Sequence, residues 1–450
     1  MSEAQDIIGA EDDGSDRRLP RYAGYPTASH FTAGIGPEQA DAWLAALPPG
    51  ATLAATLHIP FCERLCPFCC CRTQRASDPA AVETYLAALG AEIARSAARL
   101  PAGARVVALG WSGGTPTLLS PAQIARLDGA LRAALPGARD ARLTVEIDAD
   151  GLDPARIEAL AAAGLAEAAI GLQDFDPDVQ AAAGRTQDPA RVAATVAALR
   201  RAGVGAISVE LLYGLPLQTV ASLAATLEAV LAFAPDRVAL AGYAHVPWMA
   251  KRQRVIAETS LPDAAARRDQ FAFAADRLAA AGYVPCGADL FARPGDGIAR
   301  AAVAGRLRRD LFGYTAAPVD AVLGFGAASV SRLPQGYLQN VAETGAYEAR
   351  IAAGASAASR GAALSLEDRV RGRAIEMLLC DLRLDFARLA AEFGDFARLL
   401  DAACAAAAER FAGLVERDGA GLTLAAGRPF LPREVARLFD AYARPAAGRA

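Results

Sequence analysis

The chain has 450 residues, of which 53% are hydrophobic and 21% are charged. This is enough apolar material for two or three domains of about 150 residues, or for one α/β barrel with additions, and it excludes a disordered protein. The 46 basic and 50 acidic side chains give a net charge of −4. A weak field of this sign argues against a general nucleic-acid binder, so we expect no nucleic-acid partner.

The N-terminus, MSEAQDIIGAEDDGSDRR, is acidic and polar, which is the opposite of the basic and apolar order of a signal peptide. No stretch approaches the ~18 consecutive apolar residues that a membrane helix requires. We therefore expect a cytoplasmic protein without a membrane partner, in a compartment where thiols stay reduced. The next segment, RRLPRYAGYPTASHF, is too aromatic for a flexible linker and too rich in proline for a helix. Residues 1–50 are predicted to form a polar leader and an extended segment that covers the main domain.

A regular alternation of strands and helices begins at residue 51. The predicted strands are 51–59, Val106–Trp111, Leu143–Asp148, Glu167–Leu172, Ala206–Gly214 and Asp236–Ala244. The predicted helices are Ala80–Leu100, one that begins at Ser120-Pro121, Asp153–Ala163, Pro189–Ala202 and Thr219–Ala232. Six such units imply a parallel sheet with right-handed crossovers. The periodicity fits an open doubly wound sheet and a full or partial barrel equally, and in each the chemistry lies at the carboxyl ends of the strands.

The pattern changes to helices after about residue 365. We predict helices at Glu367–Cys380, Asp385–Phe393, Phe396–Arg417 and Leu431–Ala443, with a strand-like LTLAAG before the last one. The domain prediction is a main α/β domain with an extension at 51–364 and a helical, winged-helix-like domain at 365–450. The last helix carries few basic residues, which does not favour DNA binding.

Cysteine is the most informative residue type. Five of the eight cysteines lie within ten positions, at Cys62, Cys66, Cys69, Cys70 and Cys71. The first three form a C-x-x-x-C-x-x-C pattern in the loop that follows the first predicted strand. Three thiols suit a four-iron–four-sulfur cluster that keeps one iron open for a ligand. Zinc normally takes four ligands, so a zinc site would need Cys70 or Cys71 as the fourth.

Several sequence motifs in order carry a resemblance to a known family. They are PRYAGYPTA, LHIPFCERLCPFCCC, WSGGTPTLL, VEID, GLQDFDPDVQ, LLYGLPLQT, YAHVP, FARP and GYLQN, between residues 20 and 340, and the resemblance extends from about residue 17 to residue 445. The cysteine pattern resembles the radical S-adenosylmethionine superfamily, and the full set resembles the oxygen-independent coproporphyrinogen III oxidases. The resemblance implies an α/β fold with a partial (β/α)6 barrel, an N-terminal covering segment and a helical C-terminal domain.

The resemblance also implies the chemistry and the cofactors. Cys62, Cys66 and Cys69 would bind a 4Fe-4S cluster, with Cys71 outside the cluster as a possible participant, and one or two S-adenosylmethionine molecules would bind per chain. A 5′-deoxyadenosyl radical would convert two propionates of coproporphyrinogen III to vinyl groups and give protoporphyrinogen IX. The implied cofactor-binding residues are Thr56, Phe68, Gly113, Gly114, Thr115, Glu146, Gln173, Arg185, Glu210, Ala244 and Val330. The implied partners are a tetrapyrrole substrate and a flavodoxin-type or ferredoxin-type electron donor, with a monomeric enzyme.

Taken one at a time, these residues have ordinary structural explanations. A glycine pair after a strand is usually a tight turn, a strand-end glutamate is often a cap or a surface ion pair, and Arg185 could be solvated. His58 is favoured as a residue that orients backbone rather than as a ligand. The chain also departs from the family pattern, with Thr56 for tyrosine, Ser112 for glycine, Glu210 for aspartate, Leu290 for histidine, Phe312 for glutamine and Cys70 for glycine.

These departures leave two other readings open. The first is a diverged radical S-adenosylmethionine paralogue that acts on another substrate, or that binds haem or another tetrapyrrole without oxidising it. The apolar side chains at Leu290 and Phe312 motivate this reading. The second is a zinc scaffold without enzymatic activity that uses Cys62, Cys66, Cys69 and Cys70.

Overall fold

The computed structural model describes residues 19–311, 313–428 and 430–443. The strands are β1 (Thr52–Ile59), β2 (Phe61–Cys62), β3 (Gln74–Arg75), β4 (Arg105–Gly113), β5 (Arg142–Ile147), β6 (Leu165–Gln173), β7 (Ala206–Tyr213), β8 (Arg237–Gly242), β9 (Val284–Cys286), β10 (Leu290–Ala292), β11 (Arg308–Asp310), β12 (Gly313–Thr315), β13 (Ala321–Phe325), β14 (Val330–Leu333), β15 (Gly336–Asn340), β16 (Ala358–Ala363), β17 (Arg383–Asp385), β18 (Val415–Arg417) and β19 (Gly421–Leu424). The α-helices are α1 (Pro37–Ala45), α2 (Pro79–Ala97), α3 (Pro121–Ala134), α4 (Pro154–Ala162), α5 (Pro177–Ala183), α6 (Pro189–Arg201), α7 (Val220–Ala232), α8 (Ala264–Ala280), α9 (Gly297–Val303), α10 (Thr344–Ala352), α11 (Leu366–Asp381), α12 (Phe386–Phe393), α13 (Asp401–Arg410) and α14 (Leu431–Phe439). No helix in this described part of the chain is long and apolar enough to cross a membrane.

One large sheet organises the molecule. Its strand order is β16-β15-β14-β13-β1-β4-β5-β6-β7-β8-β10-β9, and β1 and β4 to β8 are parallel neighbours in chain order. Because the order never reverses within this run, right-handed crossovers place the connecting helices on one face, which excludes a doubly wound sheet. The outermost strands β16 and β9 do not pair with each other, so the barrel stays open. The predicted partial barrel is therefore confirmed.

The burial of the strands alternates, as a period of two requires. In β5 the helix-facing residues Leu143, Val145 and Ile147 are buried, whereas the intervening Thr144 and Glu146 are half-buried. Strands β7 and β8 alternate in the same way. The inner face of the sheet therefore borders an open space, into which strand-end side chains can reach.

Local helix signals account for the helix boundaries. Asp78, Ser120, Asp153 and Asp188 each precede a proline at the first helical position and accept a hydrogen bond from a backbone amide of the first turn. These side chains satisfy amide donors that no helical carbonyl can reach, while proline lacks an amide that would need a partner. The four helices that follow these pairs begin within one or two residues of the predicted positions.

Gly90, in the middle of α2, offers a test of helix propensity. An added Cβ would meet no atom within 4 Å, and the residue lies in a shallow groove between α2 and α3. Because alanine is the better helix former, Gly90→Ala is expected to raise the free energy of unfolding by about 0.5–1 kcal/mol. Urea unfolding monitored by circular dichroism measures this change, and an unchanged or lower midpoint would contradict it.

A buried carboxylate holds the loop between β13 and β14 against α2. Glu92 Oε2 accepts hydrogen bonds from Gly326 N and from the Tyr347 hydroxyl, each at 2.7 Å, and Oε1 accepts one from Asn340 Nδ2 at 2.7 Å. Burial raises the pKa of the Glu92 carboxyl from 4.5 to about 7, although these three donors oppose the shift.

This shift predicts a specific dependence of stability on pH. Between pH 4.5 and about 7 the unfolded state releases the Glu92 proton before the folded state does, so unfolding becomes easier as the pH rises. Glu92 should contribute a fall of about 3 kcal/mol in the free energy of unfolding across this window. The Glu92→Gln variant does not titrate, so its unfolding free energy should vary less between about pH 5 and pH 7.5 than that of the wild type. Equal pH dependence in both proteins would contradict the assignment.

The C-terminal region is helical with a small antiparallel sheet, β17-β19-β18, as the winged-helix-like prediction expected. The single helix predicted over Phe396–Arg417 is wrong. A 3-10 helix spans Gly394–Leu400, α13 spans Asp401–Arg410, and the remaining residues turn at Gly413, with φ at +80°, into the strand β18. Pairing with β19 outweighs the helix propensity of this segment. The last helix, predicted to reach Ala443, ends at Phe439.

The covering segment joins both parts of the chain. Residues 19–27 have no regular secondary structure, and the Arg21 guanidinium donates to the carbonyl oxygen of Gly242 at the end of β8. Tyr22 and Tyr25, however, lie in the core of the C-terminal helices, where the Tyr22 hydroxyl donates to Asp440 at 3.0 Å. The segment thus packs on the C-terminal helices as well as on the barrel, and α1 occupies part of the region that was predicted as extended.

Candidate active site

The loop that carries the five clustered cysteines, residues 60–73, is named the thiol loop here. It follows β1 and is closed at its base, because β2 and β3 pair in parallel and Gln74 N donates to the Pro60 carbonyl at 2.8 Å. Two amides that follow β4 hold the start of the loop, since Gly114 N donates to Ile59 O, just before the loop, and Thr115 N donates to Phe61 O, both at 2.7 Å. The loop therefore lies over the carboxyl ends of the parallel strands.

The thiols of this loop differ in their surroundings. The Cys62 sulfur has hydrogen-bonding hydroxyls at Thr115 and Thr73, and burial raises the pKa of the Cys62 thiol. The Cys69 thiol hydrogen-bonds to Cys71, which lowers the pKa of Cys71 to about 6 and raises that of Cys69. Burial raises the pKa of Cys70 to about 12. In the part of the chain that the structure describes, no group of three His, Cys, Asp or Glu side chains is arranged so that it could hold a metal ion.

The donor chemistry of the loop nevertheless fits an iron–sulfur cluster. Thiolates are the ligands that such clusters take, and three of them on one short loop suit a cluster with one open iron. His58 is not a competing ligand: its Nε2 hydrogen-bonds to the Arg72 carbonyl at 3.0 Å, and burial lowers the pKa of the ring to about 3. A neutral His58 therefore orients the end of the thiol loop.

The glycine pair at the end of β4 is required by packing. A Cβ at Gly113, whose φ is +110°, would lie 2.5 Å from His58 Nδ1, and one at Gly114 would lie 2.5 Å from Phe61 O. The amides of Gly113, Gly114 and Thr115 are all taken by Glu146, Ile59 and Phe61. These glycines thus let β4 and the thiol loop approach each other, and their part in cofactor binding stays a prediction.

Two glutamates face each other across the inner side of the sheet. Burial, followed by the nearby Glu210, raises the pKa of Glu146 to about 8, and its Oε2 accepts from Gly113 N at 3.2 Å. Burial and the proximity of Cys71 raise the pKa of Glu210 as well, while Arg21 and Arg185 oppose this shift. Although the Glu210 side chain is exposed to the open space inside the barrel, the surrounding strands displace part of the water around its carboxyl. Glu146, Glu210, Cys71 and Arg185 thus share one site.

Gln173 and Arg185 carry polar atoms that lack a partner among the described residues. Gln173 ends β6 with φ at +69°, next to a register shift, and its buried Oε1 accepts no hydrogen bond there. Arg185 NH2 pairs with Asp148 at 3.2 Å and donates to Gly171 O at 3.0 Å, whereas its buried Nε has no acceptor in the described chain. A strained backbone conformation and two unsatisfied polar atoms at one strand end fit a polar ligand.

The remaining predicted residues have mainly structural contacts. The Thr56 hydroxyl donates to Leu323 O at 3.2 Å, and Phe68 is buried in an apolar cluster with Cys66 and Tyr243. Val330 packs with Phe31 and Tyr337 beside the covering segment. The carbonyl oxygen of Ala244 accepts from Gln253 Nε2 at 3.0 Å.

The positions that depart from the family pattern are equally well packed. Ser112 is buried opposite His58 in the β1–β4 pair, and Leu290 lies in the sheet within a cluster that includes Cys286 and Ile298. Cys286, Cys380 and Cys404 are buried, as expected for isolated cysteines. Phe312 lies outside the described residues, as do residues 1–18.

Three residues that contribute to the site were not among the site residues predicted from the sequence. Arg21 approaches Glu210 and Cys71 from the covering segment, Asp148 pairs with Arg185, and Gln253 binds the thiol loop through Phe68 O at 2.7 Å. No spacing in the sequence could have singled out Gln253 or Asp148, because their partners are distant in the chain.

The fold and the thiol loop define a radical S-adenosylmethionine protein, and comparison with known proteins agrees. Residues 56–230 match the family model of the radical SAM superfamily. The chain is 45% identical to the oxygen-independent coproporphyrinogen III oxidase of Paracoccus denitrificans over 435 residues, 96% of each chain, and 36% identical to that of Escherichia coli, over 94% of this chain and 93% of the other. A solved structure of the Escherichia coli coproporphyrinogen III oxidase, described as a radical SAM enzyme, superimposes with a TM-score of 0.88 and 33% identity over 94% of this chain and 97% of that one. The chain belongs to the family of oxygen-independent coproporphyrinogen III oxidases.

Proposed function

We propose that this protein oxidises coproporphyrinogen III without oxygen, converting two propionates to vinyl groups to give protoporphyrinogen IX. The observation that carries the proposal is the thiol loop over the carboxyl ends of a partial barrel, in a chain whose relatives along nearly its full length are named for this activity. The enzyme is an oxidoreductase of the radical SAM class and uses a 4Fe-4S cluster and S-adenosylmethionine.

Cys62, Cys66 and Cys69 are the proposed cluster ligands. When bound, the cluster and S-adenosylmethionine supply a one-electron cleavage that produces a hydrogen-abstracting radical. The chain contributes a loop with a rigid base, and Cys71 stays outside the ligand set beside Cys69. Cys70, at the glycine position of the family pattern, is assigned no ligand role.

The strand ends are proposed to bind the polar groups of S-adenosylmethionine. Arg185 presents a cation that Asp148 and Gly171 O hold in place, and its free Nε suits a carboxylate. Gln173 Oε1 suits an amine donor. Glu146, with its raised pKa, can exist in either protonation state near neutral pH and so can hold a proton near the substrate. The open space on the inner face would take the tetrapyrrole.

The number of S-adenosylmethionine molecules is proposed from the same contacts. The site around Gln173, Arg185 and Glu146 accounts for one molecule. A second would have to share the region near Thr56 and Val330, whose polar and apolar contacts are already made within the chain. We therefore favour one firmly bound S-adenosylmethionine, and equilibrium dialysis of the reconstituted enzyme would count it.

The electron source is proposed to be a flavodoxin-type or ferredoxin-type protein, because the chemistry needs single electrons and the family relies on an outside donor. A cytoplasmic location fits the eight free cysteines, since a thiol-ligated cluster requires a reducing compartment. The enzyme is also proposed to be a monomer.

An anaerobic assay tests the function directly. Reconstituted protein is incubated with a reductant, S-adenosylmethionine and coproporphyrinogen III, and chromatography follows 5′-deoxyadenosine and the vinyl products. We expect both to appear together. If 5′-deoxyadenosine forms without vinyl products, the substrate is a different one. If neither forms in protein with verified iron and sulfide, tetrapyrrole binding without oxidation becomes the better reading.

A further inference from the structure

The wall of the barrel mouth beside the thiol loop exposes large apolar side chains. Leu65, on the loop itself, is 40% exposed, Trp248 is 57% exposed and Val255 is 76% exposed. Trp248 and Val255 belong to one compact segment, in which Met249 N and Ala250 N both bond to Val246 O before the 3-10 helix Lys251–Val255. Exposed tryptophan beside other exposed apolar side chains is typical of a protein-binding surface.

The same segment is positively charged. It contains Lys251, Arg252 and Arg254, and no acidic residue occurs between Asp236 and Glu258. Lys251 and Arg254 are exposed. On a chain with a net charge of −4, this is a local reversal of sign that would attract an acidic partner.

Two hydrogen-bonded contacts fix this segment to the thiol loop. Arg252 donates to the Thr73 hydroxyl and to the Thr73 carbonyl, both at 3.0 Å. Gln253 is fully buried, and its Nε2 donates to Phe68 O at 2.7 Å, next to Cys69. A protein bound on the exposed side of the segment would therefore lie next to the thiol loop. Because electron transfer weakens steeply with distance, a donor bound there would be close enough to serve this loop.

We propose that Leu65, Trp248, Lys251, Arg254 and Val255, here named the basic–apolar face, bind an acidic one-electron donor protein. This inference rests on the proposed function. In the bound pair the donor loses one electron and the site at the thiol loop gains it, with no atom transferred. A second copy of this chain is disfavoured as the occupant, because a symmetric contact would place the same positive side chains against each other.

The test compares binding and electron delivery in a charge-reversed variant, Lys251→Glu/Arg254→Glu. Titration calorimetry measures the affinity for a bacterial flavodoxin, an acidic flavoprotein, at low and high salt. We expect the Kd to rise by about 10-fold or more at low salt, and the difference to shrink at high salt. Formation of 5′-deoxyadenosine driven by flavodoxin hydroquinone should show a matching rise in apparent KM. Activity driven by dithionite, which needs no docking surface, should be unchanged.

Arg105→Glu is the matched control, because Arg105 is exposed at the opposite, amino-terminal end of β4. It should leave both flavodoxin binding and activity unchanged. The proposal would be overturned if the double variant bound flavodoxin with the wild-type Kd. It would also be overturned if the double variant lost as much activity with dithionite as with flavodoxin, or if Arg105→Glu weakened flavodoxin binding as much as the double variant does. A wild-type dimer that dissociates in the double variant would overturn it in favour of a second copy. If the wild-type protein forms no 5′-deoxyadenosine with dithionite, that result would instead count against the proposed function.

Discussion

Protein in which Cys69 is replaced by serine is expected to lose its iron–sulfur cluster and its activity together. A hydroxyl is a poor ligand for iron in such clusters, and two remaining thiolates hold a cluster weakly. After anaerobic reconstitution, iron and sulfide should fall below about a tenth of the wild-type content, and 5′-deoxyadenosine should not form. Iron and sulfide analysis with the visible absorbance of the cluster measures the first effect, and chromatography measures the second.

Cys70→Ala is the control for this prediction, since Cys70 is adjacent in sequence and is similarly buried. It should retain cluster content and S-adenosylmethionine cleavage. Loss of the cluster in Cys70→Ala, with retention in Cys69→Ser, would show that Cys70 is the third ligand. Zinc in place of iron in anaerobically purified wild type would refute the cluster altogether.

The second large effect is expected for Gly114→Ala. The new methyl group would lie 2.5 Å from Phe61 O and 2.8 Å from Ile59 O, and both are backbone atoms that a side-chain rotation cannot move aside. The contact must push the thiol loop away from β4 and weaken the hydrogen bonds from Gly114 N and Thr115 N. We expect a loss of about 1–3 kcal/mol in the free energy of unfolding and a lower cluster content at equal protein concentration.

Gly90→Ala is the matched control, because the same methyl group is added where it meets nothing within 4 Å. In thermal unfolding, the midpoint temperature should rise for Gly90→Ala and fall for Gly114→Ala, each relative to the wild type. A Gly114→Ala protein with wild-type stability and full cluster content would show that the thiol loop moves freely relative to β4.

Helix boundaries and the thiol loop were readable from the sequence because they depend on neighbours a few residues apart. Ser120 caps its helix through the amide of Gln123, and a proline follows it. Where a segment's structure depended on a distant partner, the prediction failed. Residues 415–417 become strand β18 because they pair with β19, although their composition suits a helix.

In the candidate active site, too, the residue types could be predicted from the sequence, whereas their contacts with distant residues could not. Gly113 and Gly114 were predicted to bind the cofactor, and the structure adds a packing role, since a Cβ at either position would clash with His58 or Phe61. Arg185 was identified as a cation, yet its ion pair with Asp148 depends on how β5 and β6 lie side by side. Such contacts arise only after the strands have paired.

The sequence by itself determined the family, the parallel α/β architecture and the positions of the cysteines, because motifs and periodicity are local properties. Only the tertiary structure decided how the site is enclosed. Arg21 reaches Gly242 across 221 positions, and Gln253 reaches Phe68 across 185. The covering segment likewise places Tyr22 and Tyr25 in the C-terminal core. These contacts depend on chain topology and on the burial of polar groups that need partners, and no spacing along the chain encodes them.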